Sequence, residues 1–124
     1  MQNDNLKFKN DLKRRVYLYA IDVIRLIDGL DKKDFGTEVI AKQLLRSATS
    51  IGANVIEAQA SGTKKDFTNF LNHALKSANE SKFWLGLLRD TNKADKELTN
   101  KILSETVELS NILGSSILTL RGKR

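Results

Sequence analysis

The stretch that decides the fold is "RSATSIGANVIEA", residues 46–58. Starting just upstream of it, Ile40, Leu44, Ala48, Ile51, Val55 and Ala58 recur every three or four residues, the period of an amphipathic helix. The same stretch carries a second register. Arg46, Ser50, Asn54 and Glu57 follow one another at spacings of four, four and three. With Leu44 at zero and 100° per residue, these four fall between about 200° and 280°, with Gln43 among them, away from the apolar stripe. A plain solvated face would use Lys and Glu. A stripe of Arg, Ser, Asn and Glu asks for something to face.

Three more helical segments extend outward from this one. The first covers about Leu6 to Leu30, with Leu12, Val16, Ala20, Val23, Ile24 and Ile27 as its stripe. "DGLDKKDFG" ends it, and the second helix runs from about Thr37 to Ala60. "SGTKKD" follows, with Gly62 placed for a C-terminal cap and Ser61 or Thr63 near the next start. The third segment, about Lys64 to Asp90, turns Phe67, Leu71, Ala74, Leu75, Ala78 and Leu85 to one side. After "DTNKADKE" the fourth runs from about Asp95 to Leu120, with Leu98, Ile102, Leu109, Ile112, Leu113, Ile117 and Leu120. Helices of ~25 residues are ~37 Å long. Equal lengths and short connections predict an all-α, antiparallel up-down-up-down four-helix bundle, a single domain over residues 1–124.

Composition agrees and excludes much else. The chain of 124 residues has no Pro and 7 Gly, too few turn residues for a β-rich protein of this size. It has no Cys, which removes disulfides, thiolate nucleophiles and Cys-ligated metals together. "MQNDNLKFKNDLKRR" lacks the apolar core of a signal peptide, and no apolar run approaches the ~20 residues of a membrane span. A cytoplasmic protein with no membrane partner is expected. The single histidine, His73, and the absence of any Glu-x-x-His pair rule out the di-iron site of many bundles. "SGTKKD" lacks the spacing of a phosphate-binding loop. No catalytic group and no cofactor are expected.

Ser77 and Glu80, three apart in "HALKSANESKFW" on the third helix, supply a second hydroxyl and carboxylate. They can face the stripe of the second helix, with Arg46 pairing Glu57 or Glu80 and Asn54 bridging. A buried network of this kind fixes helix register and partner choice more than it adds stability. Alternatively, the stripe lines a ligand- or RNA-facing surface, where its two carboxylates would repel phosphate. Apolar surface is also in surplus. "FWLGLL", residues 83–88, points nearly all round a helix, as does "VYLYAIDVI", residues 16–24. Phe83, Trp84, Leu87 and Leu88 are therefore candidates for an interface between subunits.

"LLRSATSIGANVIEA" followed by "FLNHALKSANESKFWLGLL" closely resembles the four-helix-bundle proteins encoded in intervening sequences of bacterial 23S ribosomal RNA genes. The resemblance spans nearly the whole chain. Its characteristic residues carry over to Arg46, Ser50, Asn54 and Glu57 on the second helix and Ser77 and Glu80 on the third. The chain has Gly52 where the family often has Pro, and Ala58 where it often has Gly. The resemblance implies a ring-shaped homo-oligomer, typically a pentamer. The fold is also similar to that of the accessory proteins of diversity-generating retroelements, basic pentameric barrels that bind nucleic acid and a reverse transcriptase.

The net charge of +6, from 21 Lys and Arg against 15 Asp and Glu, permits an acidic partner without demanding one. Two functions follow. In the first, a ring binds RNA or DNA through Lys7, Lys9, Lys13, Arg14, Arg15, Lys64, Lys65, Arg121, Lys123 and Arg124. Contacts to phosphate would dominate, with weak sequence preference and steep salt dependence. In the second, the ring is a scaffold for a partner protein and has no nucleic-acid role.

Overall fold

A computed structural model of the chain describes residues 4–122, and among these it shows four helices and no strand. They are α1 (Asp4–Asp28), α2 (Phe35–Ala60), α3 (Lys64–Asp90) and α4 (Lys96–Leu120). The boundaries follow from their caps. Asp34 accepts hydrogen bonds from the Thr37 backbone N–H and hydroxyl, which starts α2 two residues ahead of the expected Thr37. Thr63 accepts from the Asp66 amide and Asp95 from the Leu98 amide, opening α3 and α4. Ser61 closes α2, its hydroxyl and N–H both donating to the Ala58 carbonyl. Gly62 is thus not a left-handed cap. That conformation occurs instead at Asn92, φ 58°, beyond α3, and at Gly122 beyond α4.

Each helix meets its neighbours in chain order, and α1 also meets α4. Contact is most extensive between α2 and α3 and least between α1 and α4. Residue size explains the difference. The buried positions of α2 and α3 include Ala41, Ser47, Ala48, Ala58, Ala74, Ala78 and Ser81, which let two backbones approach closely. Those of α1 are mostly larger: Leu12, Val16, Tyr19, Val23 and Leu26. All belong to one apolar core that also takes in Leu44, Ile51, Leu85, Leu109 and Leu113.

The period-based stripes need correction at several positions. Tyr19, Leu26 and Leu88 are in the core although no stripe included them, while Ile24 and Leu98 face outward. The apolar stretch at residues 83–88 does not form a free surface all round. Leu85 and Leu88 are fully buried within the bundle, so Leu88 is core and not an intersubunit contact. Trp84 packs against the core, and Phe83, 60% exposed, meets its ring edge-on with centroids 5.0 Å apart. No helix among the described residues is long and apolar enough to cross a membrane.

A polar seam, a basic end and an apolar groove

The stripe on α2 does meet α3. Ser47 and Ser81 share a buried hydrogen bond of 2.8 Å, and the Ser77 hydroxyl donates to Ser50 Oγ at 3.0 Å. On the outer edge of this seam the Arg46 guanidinium pairs with Glu80 and also donates to Gln43 Oε1. Glu80 accepts a second hydrogen bond, 3.0 Å, from the Trp84 indole N–H, so one carboxylate holds both α2 and the aromatic flank of α3. Asn54 does not bridge. Its amide turns back along α2 to the Ser50 carbonyl and hydroxyl, at 2.8 and 3.0 Å. Glu57 is exposed and outside these contacts.

The seam continues inward through residues that hydrophobic periodicity passes over. Ser47 and Ser81 sit on the apolar stripes, where a small hydroxyl is easily counted as a gap between Leu44 and Ala48 or Ala78 and Leu85. Across the core, the Tyr19 hydroxyl lies 2.7 Å from Thr106 Oγ1. The Thr106 hydroxyl donates to the Ile102 carbonyl, so the phenol supplies the proton of that bond. Burial pushes the Tyr19 phenol up to about 12, opposed by its hydrogen bonds to Thr106 and Ser81. Beyond it, Arg15 binds Glu105 in a two-pronged contact at 2.7 and 2.9 Å, and Glu108 lies 3.9 Å away. These bonds raise the guanidinium's affinity for its proton. The two ion pairs and the hydroxyls between them thus form a polar layer through the bundle.

Five of the expected basic residues gather at one end, with Asp66 in the first turn of α3 beside them. Lys7 and Lys9 lie near the start of α1, Lys64 and Lys65 open α3, and Arg121 caps α4. Tertiary contacts bring those ends together. The Gln59 side chain donates to the Lys9 carbonyl at 2.9 Å, and the Lys9 ammonium lies 5.9 Å from the centre of the Phe67 ring. Phe8 and Lys9 share a cleft of about 330 Å³ with Phe67, Ser116 and Leu120. Arg15 stands apart, committed to Glu105. Lys123 and Arg124 lie outside the described residues. The opposite end mixes charges. There Lys93 reaches across from the α3–α4 connection to Asp34, 2.6 Å away, and that contact with the Thr37 bonds lowers the Asp34 carboxyl to about 2.

A third feature lies between α1 and α2. Val16, Tyr17, Ala20, Gly52, Ala53 and Ile56 line an open groove of about 610 Å³. Lys13 and Arg14 stand on its rim, and no acidic residue lines it.

Comparison with known proteins fits this architecture. A comparison with curated proteins finds no match. A crystal structure of a protein with unknown function from the S23 ribosomal protein family, from Bacteroides thetaiotaomicron, is 39% identical. The match covers 86% of this chain and 97% of that one, with a TM-score of 0.79. The family model for the 23S rRNA-intervening sequence protein matches residues 9–115. Sequence and fold therefore lead to one conclusion: the chain belongs to the 23S rRNA-intervening sequence protein family.

Proposed function

We propose that the protein is a non-enzymatic, cytoplasmic binder of RNA or other nucleic acid. It works as a ring of antiparallel up-down-up-down bundles, pentameric as the family resemblance suggests. The observation that carries this reading is the gathering of Lys7, Lys9, Lys64, Lys65 and Arg121 at one end. Residue pairing supports the antiparallel arrangement: Ser47 with Ser81 and Ser50 with Ser77, numbers rising on one helix as they fall on the other. In a ring, the basic end repeats around the axis and presents a cationic rim. Its lysines contact phosphates and carry no base code, so affinity depends on salt more than on sequence.

Fluorescence anisotropy of a labelled RNA stem, titrated from low to physiological salt, tests this. Lys64→Glu with Lys65→Glu is expected to weaken binding and to reduce the slope of log affinity against log salt by roughly one for each phosphate that the variant no longer touches. Light scattering on both proteins should give the same mass. Salt-independent binding, or no binding at low salt, would return these side chains to ordinary solvated faces and favour a scaffold with no nucleic-acid role.

A further inference from the structure

The groove between α1 and α2 is not part of the basic end, and its chemistry is different. The floor is apolar and built from small residues, Ala20, Gly52 and Ala53, flanked by Tyr17 and Ile56. Tyr17 is 69% exposed and Ile56 43% exposed, a costly arrangement for side chains that have nothing to cover. The strip continues along both helices. Ile24, two turns beyond Tyr17, and Leu45, two turns before Gly52, are also exposed. From Asn10 to Ile24 the apolar track is thus ~21 Å long at 1.5 Å per residue.

Charge selects among possible occupants. The lining holds two cations and no acid. Among the described residues, Lys13 and Arg14 pair with no carboxylate, although the next residue, Arg15, is clamped by Glu105. We infer that this groove docks an amphipathic helix of a partner protein. The helix would lay aliphatic side chains at i, i+3, i+4 and i+7 on Ala20, Gly52 and Ala53 and set acidic residues against Lys13 and Arg14. A helix suits the site because small floor residues admit its backbone closely and an all-helical wall offers no strand edge to extend. Nucleic acid suits it less, because the two cations could meet phosphates but the apolar floor beside them offers base edges no hydrogen-bond partner.

The probe is a labelled synthetic helix of about 18 residues, with Leu at those spacings and Glu beside them. A twin carries Lys in place of Glu. Both are titrated against the full chain by anisotropy, with amide chemical shifts locating the contact. The acidic peptide is expected to saturate the protein, move the amides of Ala20, Gly52 and Ala53, and bind at least roughly tenfold tighter than its twin. Ala53→Glu should abolish that binding. Ala53 is exposed, so a Glu there stays out of the core and the fold is expected to be kept, and Ile56→Glu provides a second exposed position. Lys13→Glu with Arg14→Glu should reverse the preference toward the basic twin. RNA affinity should be unchanged by Ala53→Glu, which separates this site from the basic end. Equal affinity for the two peptides, or binding indifferent to Ala53→Glu and Ile56→Glu, would overturn the proposal. So would a drop in the oligomer mass of either variant without peptide, which would assign the groove to a second copy, or RNA-induced shifts at Gly52 and Ala53, which would assign it to nucleic acid.

Discussion

Two buried hydroxyls show how one atom decides a residue's contribution. Tyr19 stays neutral in the fold well above the ordinary phenol range because burial raises it from 10.0 to about 12. Below pH 10 both folded and unfolded chains keep the proton, and the contribution is complete. Between pH 10 and 12 only the unfolded chain releases it, so stability falls by about 1.4 kcal/mol per unit at most. Tyr19→Phe lacks the bond to Thr106 and should be about 1 kcal/mol less stable at pH 7. It also lacks the titration, so its urea-unfolding curve should draw level with that of the native protein between pH 10 and 12. Parallel declines in both proteins over that range would show that the phenol is not held neutral. Ser110 is the opposite case. Its hydroxyl oxygen is buried with no hydrogen-bond partner among the described residues. Ser110→Ala should therefore raise stability by up to ~1 kcal/mol, and a fall in melting temperature would mean that the oxygen is satisfied in solution.

Between elements, the α2–α3 pair is where sequence and structure agree best and where they part. Residues 46–58 announce a helix and a polar register, and both are present. Arg46, Ser50, Ser77 and Glu80 meet across the seam as one of the expected pairings. Periodicity could not show that Asn54 folds back on Ser50, since that depends on a rotamer and not on spacing. Nor could it separate Ser47 and Ser81 from the apolar stripe they interrupt. The charge pattern names the basic residues but could not gather them, because only tertiary contact brings Lys9 to Gln59 and Phe67. It also leaves Arg15 in that set, blind to Glu105 at a distance of 90 residues. The buried serines can be weighed by a double-mutant cycle. Ser47→Ala and Ser81→Ala should each cost about 1–2 kcal/mol, and the double variant less than their sum, since removing both leaves no partner stranded. Strict additivity in chemical denaturation would mean that the two hydroxyls do not act together.

At the scale of the whole molecule, the two ends differ in kind. One carries an excess of cations over its acid, Asp66, and the other ties the α1–α2 connection to the α3–α4 connection through Asp34 and Lys93. Asp34 has a depressed carboxyl, so its contribution is present above pH 3.8 and lost as pH falls through about 2. Lys93→Met should remove much of that acid dependence and speed hydrogen exchange at the Thr37 amide, which Asp34 caps. Unchanged exchange would show that the cap stands without the lysine. The thin contact of α1 with α4 has a kinetic meaning as well. Tyr19 meets Thr106 across 87 positions of chain, whereas Ser50 and Ser77 are only 27 apart. Closing the longer loop is slower in entropic terms, so the α2–α3 hairpin is expected to form early and the α1–α4 contact last. During synthesis α1 leaves the ribosome well before its other neighbour, α4, is made. For most of that interval α1 has only α2 beside it, and the face of α1 that will meet α4 is the surface most open to capture by whatever is nearby.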